Sequence, residues 1–228
     1  MKLRSVIIPP CVRGFDADAA LFDVDIENGL VVGVAPAQAA IDSVASGTLL
    51  PALVDLHVHI DKTYVVDEVG AADGDLFKAI DLMAQHRSRW TPRDIHTRME
   101  RALADAYTHG TRALRTHLDW PDAAAPPSLA VFEQLREAWG DRLSLQCVSL
   151  TPLDVLADAA TGQAIAQRLA RANAGGTVAL LGAFVYRNDD LHTKLQRVFD
   201  LAKQHQLQLD FHVDEGLHAD ARGLRAIA

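Results

Sequence analysis

The sequence predicts an α/β fold in which parallel strands alternate with helices around a β/α barrel, and two observations carry that prediction. Short apolar runs of strand length recur at Leu53 to Ile60, Arg112 to Asp119, Leu143 to Leu150, Thr177 to Val185 and Leu207 to Asp214, with helical patterns between them. Three of these runs also alternate polar and apolar residues with one parity, so the polar side of each faces the same way.

Taken in order, residues 1 to 50 read as a small β element. Leu21 to Ile26 and Leu30 to Val34 are strand-like and are joined through Asn28-Gly29, a hairpin signal. The boundary with the α/β part, residues 51 to 228, falls near residue 50. The clearest helix is Pro92 to His109, where Thr91 can cap, Pro92 takes the first helical position and Gly110 stops the turn. Ser128 opens Leu129 to Trp139, and Thr161 opens a segment that ends at Gly175 and Gly176. Asp189 opens Asp190 to Gln204, with Leu191, Leu195, Val198 and Ala202 on one face.

Composition narrows the partners. With 228 residues, 49% of them hydrophobic, the chain can bury one main core, and a net charge of -8 without a basic stripe argues against nucleic acid. The apolar stretch Val6 to Ile8 stops at Pro9 and Pro10, too short for a signal-peptide core, and no later run approaches a membrane span. Cys11 and Cys147 are far apart and in no redox or metal spacing, so a reducing, cytoplasmic setting is expected.

The polar faces carry the chemistry. In LVDLHVHID, Val54, Leu56, Val58 and Ile60 share one side while Asp55, His57, His59 and Asp61 share the other. A strand covered by helices is apolar outward, so the two imidazoles look into the barrel near the strand's C-terminal end, where barrel sites are built. In LQLDFHVDE the inward residues are Asp210, His212 and Asp214, followed by Glu215, and in ALRTHLD they are Arg115, His117 and Asp119. His57, His59 and His212 would give a metal three nitrogens and leave room for a carboxylate and a water, with Glu215 placed to shuttle the proton. One layer lower, Asp55 and Arg115 on adjacent strands are expected to pair as buried opposite charges, with Asp210 as a third member. The remaining histidines, His86, His96, His109, His192, His205 and His218, read as surface or structural.

LPALVDLHVHIDKT, LRTHLD and LDFHVDE, in this order, resemble the cytosine deaminase branch of the metal-dependent amidohydrolase superfamily over about residues 48 to 216. The resemblance implies a (β/α)8 barrel of which about five βα units are present, flanked by a β-sandwich whose first part is residues 1 to 50. It implies one divalent ion, zinc or iron, on His57, His59 and His212, a proton-shuttling Glu215, and substrate contacts from Asp61 and His117. The bridging lysine of binuclear members has no counterpart in LLGAFVY. Ser149, Leu150, Thr151 and Pro152 stand where cytosine deaminases carry a glutamine that reads the amide edge, which leaves the substrate open.

The activity so implied is hydrolytic deamination of a small cytosine-, isoguanine- or triazine-like heterocycle. Hydrolysis of a cyclic amide, or of an alkylamino group on a triazine-like ring, needs the same metal and a different pocket. A third expectation follows from the chain's end at Ala228: strands six to eight, with the family's later histidine and aspartate, lie beyond it, so the chain would be a truncated or split, non-catalytic piece that binds metal or a partner. The partner would be a homo-oligomer mate or a complementing C-terminal fragment.

Overall fold

The computed structural model describes residues 1–38, 45–216 and 218–228. The chain divides into two compact units, Met1–Ala52 and Leu53–Ala228.

The first unit is a four-stranded sheet of β1 (Lys2–Ile7), β2 (Phe22–Glu27), β3 (Leu30–Pro36) and β4 (Gly47–Thr48), in the order β3-β2-β1-β4, with a short helix α1 (Pro10–Arg13). Asn28 and Gly29 join β2 to β3 with φ of 51° and 78°. Both are left-handed, as a two-residue hairpin turn matched to strand twist requires. Val6, Ile8, Phe22 and Val24 form its small core.

The second unit is a five-stranded parallel sheet in simple sequence order: β5 (Leu53–Val58), β6 (Thr111–Asp119), β7 (Ser144–Pro152), β8 (Val178–Val185) and β9 (Leu209–Val213). The helices are α2 (Val66–Val69), α3 (Leu76–Arg87), α4 (Pro92–Thr108), α5 (Pro127–Trp139), α6 (Leu153–Ala157), α7 (Ala159–Ala174), α8 (Leu191–His205) and α9 (Gly223–Ile227). The sheet curls strongly enough that His57 on β5 and His212 on β9, its two edges, have ring centroids 4.4 Å apart. It is a half-barrel. The core lies between the sheet and its helices, with Met99, Leu103, Leu118, Phe132, Ile165 and Val198 all buried.

α4 begins with the capping box its sequence signals: Thr91 Oγ1 accepts the Asp94 N–H, and the Asp94 carboxylate accepts the Thr91 N–H. Three other helix starts differ from expectation. Ser128 is buried inside α5, which starts at Pro127 because proline suits the first turn. α7 starts earlier than Thr161, at Ala159, because Asp158 caps it by accepting the Thr161 N–H. α8 starts at Leu191, preceded by Asp190 in the left-handed conformation.

The outer face of β5 departs most from expectation. Val54 and Leu56 are 60% and 64% exposed, whereas a helix-covered strand would bury its outward side chains. β5 is an edge strand, and the start of its outer face is uncovered, whereas Val58 and Ile60 farther along pack against the core.

Candidate functional site

Each site side chain is held by contacts made at the C-terminal ends of the strands. The segment after β5 is tied to β6 twice, by the Ile60 N–H donating to Thr116 Oγ1 and by the Asp119 N–H donating to Asp61 Oδ2. The Arg98 guanidinium on α4 donates to the Asp61 carbonyl from Nε and Nη2. Asp61 is thus a buried strap that sets the path of the chain through His59. Burial and the neighbouring Asp119 charge push its carboxyl well above the usual range.

Four imidazoles converge. His57 stacks on His117 with centroids 4.2 Å apart, and His117 lies 4.7 Å from His212. His212 Nε2 is 3.2 Å from His59 Nε2. Candidate ligand atoms of His57, His117 and His212 all lie within 4.8 Å of one another, a grouping that contains His117 where the sequence points to His59. Three of the rings, His59, His117 and His212, are held in the neutral form. Burial, then the charge of Lys62, lowers the His59 pKa to about 3. Burial, then His212, lowers His117 to about 2, and burial also lowers His212. A neutral imidazole keeps the lone pair a metal needs. Both nitrogens of His117 and Nδ1 of His59 and His212 are buried without a hydrogen-bond partner among the described residues. Such orphaned nitrogens fit a nitrogen-rich site for zinc or iron.

Beside the imidazoles opens a cavity of about 250 Å³. His59, His212 and Glu215 line it together with Lys62, Arg87 and Asp119, and its remaining wall is largely apolar, including Trp120, Leu150 and Phe184. Tyr186 Oη donates to Glu215 Oε2 at 3.5 Å, and burial together with the Glu215 charge pushes the phenol up to about 12. The Asp119 carboxylate accepts from Lys62 Nζ and Arg87 Nη1, each at 2.7 Å.

The expected Asp55–Arg115 pair is not what the structure shows. Arg115 donates from Nη1 to Asp210 Oδ2 at 2.8 Å and from Nε to Gln146 Oε1, while Asp55 Oδ1 accepts the His57 N–H on its own strand. The curl lets the long guanidinium cross the barrel interior to β9, and β5 shifts register against β6 after Asp55. Arg87, Tyr186 and Trp120 join the site without being expected from the sequence. Arg87 has a signal there: Leu76, Ile80, Met83 and Ala84 form one helical stripe, and Arg87 follows at the next turn of that stripe.

No family model matches the chain. It is 35% identical over 213 residues to a pterin deaminase from Rhizobium rhizogenes, covering 93% of this chain and 48% of that protein. Its fold is that of a 5-methylcytosine deaminase from Klebsiella pneumoniae bound to 5-fluorocytosine (TM-score 0.76, 22% identity, 100% of this chain and 54% of that one). It is also that of an N-isopropylammelide isopropylaminohydrolase from Burkholderia multivorans (TM-score 0.69, 24% identity, 99% and 56%). The chain spans about half the length of the relatives it matches.

Proposed function

We propose that this chain, related to deaminases and hydrolases of the metal-dependent amidohydrolase superfamily, supplies the metal-holding and proton-moving part of a hydrolytic deaminase acting on a flat, amino-substituted heterocycle. The observation that carries the reading is the convergence of His57, His59, His117 and His212 beside Glu215 at one cavity. His57, His59 and His212 would hold one divalent ion, zinc or iron. His59 and His212 line the cavity, so an ion on them is open to substrate, whereas His117 is fully buried and stacks on His57.

When bound, such an ion acts as a Lewis acid that makes water nucleophilic near neutral pH. The chain's own residues do the rest. The apolar walls hold a flat ring and exclude bulk water. Glu215 takes a proton from the attacking water and delivers it to the departing amino nitrogen, so that water and the ring C–NH2 become a ring carbonyl and ammonia. The Tyr186 hydroxyl, kept protonated by its raised pKa, orients the Glu215 carboxylate for that transfer. Pterin, cytosine, isoguanine and aminotriazines are the rings to test, the first because the Rhizobium relative is a pterin deaminase.

A second reading, a metal-binding piece that turns nothing over without further barrel strands, is favoured by the exposed Val54 and Leu56 at the start of the outer face of β5. The test is to count zinc and iron per purified chain in the parent and in His59→Ala and His212→Ala. Ammonia release is then assayed with and without the C-terminal half of the Rhizobium relative supplied in trans. The expected outcome is one ion per parent chain, its loss in both variants, and ammonia only in the complemented sample. Failure of the parent to hold a stoichiometric ion would sink the proposal, and ring-opened product without ammonia would turn it toward a cyclic amide hydrolase.

A further inference from the structure

The cavity has a second polar group that the proton transfer above does not use. Arg87, the last residue of α3, lines the cavity and donates from Nη1 to Asp119 Oδ2, and no other hydrogen bond of its guanidinium is made among the described residues. A guanidinium carries five N–H groups in a rigid fork, and the ion pair with Asp119 takes up one of them. Lys62, the other cation on Asp119, belongs to the metal side of the cavity, three residues after His59. Arg87 comes from a different element, and Met83, Ala84 and Trp120, whose indole Nε1–H is buried without a partner among the described residues, line the cavity with it.

At the end of β7, Leu150 and Pro152 present apolar surface to the cavity, while Ser149, whose hydroxyl oxygen accepts the Gly182 N–H, is not among the residues that line it. The remaining donors of a fork held against an apolar wall are matched by an oxygen acceptor on the edge of a flat ring.

We infer that Arg87 is a specificity-determining residue that reads a carbonyl oxygen on the ring, so that the substrate class is an amino-substituted heterocycle carrying an exocyclic oxo group rather than a purely amino-substituted one. This assignment rests on the deaminase reading. Asp119 fixes the guanidinium so that its unused edge is presented without further ordering, and a ring lacking the oxygen leaves those donors unpaired.

The test is equilibrium binding of cytosine and of 4-aminopyrimidine, which lacks the oxo group, to the full chain by titration calorimetry. The parent is expected to prefer cytosine by about tenfold or more, the ratio that one charge-assisted hydrogen bond gives. In Arg87→Met the preference disappears while the affinity for 4-aminopyrimidine stays within about twofold of the parent. Arg87→Lys keeps the charge beside Asp119 but loses the fork, retains part of the preference, and carries the comparison if the methionine variant does not fold. Equal binding of both rings by the parent, or an unchanged preference in either variant, overturns the assignment and leaves the deaminase reading standing. No binding of either ring by the parent overturns the assignment of Arg87, while the deaminase reading stands or falls separately on the ion count and the complemented ammonia assay.

Discussion

A buried imidazole that stays neutral in the fold gains a proton when the chain unfolds in acid. His59 titrates at about 3 in the fold, against 6.5 for a solvated imidazole, with burial the main cause. A folded-state pKa below the unfolded one means that the unfolded chain binds more protons through that window. Stability is therefore full above about pH 6.5 and falls as pH drops toward 3. His117 and His212 shift in the same direction. The expected outcome is a urea midpoint for the metal-free chain that is clearly lower at pH 4.5 than at pH 7, and His59→Phe should flatten that dependence. A midpoint that does not move over this range would show that the imidazoles are not held neutral. Arg115 makes a second residue-scale case. Removing it in Arg115→Leu strands the Asp210 carboxylate in the barrel interior and should cost about 2–3 kcal/mol, against little for Asp55→Ala, which breaks no ion pair. Equal melts of the two variants would show that the interior pair adds nothing.

Among the strands, β8 leaves no room for a side chain at Gly182. A Cβ on Gly182 would sit 2.3 Å from Val148 Cγ1 and 2.9 Å from the backbone oxygens of Ser149 and Asp210, so neither flanking strand can yield without moving its main chain. Gly182→Ala should therefore destabilise the fold by about 3 kcal/mol or prevent it from forming. An unchanged melting temperature would mean that β7, β8 and β9 pack with room to spare. The glycine is visible in LLGAFVY but its reason is not, because close approach of two neighbouring strands is a property of the sheet. α3 shows the converse. Its apolar stripe and its capping Asp75, which accepts the Phe77 and Lys78 N–H groups, both lie in the sequence, yet neither tells that the helix's last residue, Arg87, reaches the cavity.

For the whole barrel unit, closure is the governing issue. β5 and β9 are the two edges of the parallel sheet, and β5 turns Val54 and Leu56 outward to solvent. An unpaired strand with an uncovered apolar face invites pairing with another chain. The chain alone is expected to self-associate in a concentration-dependent way, seen by sedimentation velocity, and Val54→Lys with Leu56→Thr should suppress it without altering the helical circular dichroism signal. A parent that sediments as a monomer at about 100 μM, far above typical working concentrations, would show that this surface is not sticky.

What the residues alone determined were the strand parity, the βα rhythm and the hairpin at Asn28-Gly29, and they pointed to His57, His59, His212 and Glu215 as the proposed metal-holding and proton-moving residues. These follow from periods of two and 3.6 and from the cost of turning imidazoles and carboxylates inward, which are local properties of the sequence. Only the tertiary structure decided how far the sheet curls. That curl brings His117 into the ring cluster, sends Arg115 to Asp210 instead of Asp55, and carries Arg87 from a helix to the cavity wall. Each of those contacts joins side chains from different elements, some of them nearly a hundred residues apart, and pair distances of that kind depend on strand twist and helix placement rather than on spacing along the chain.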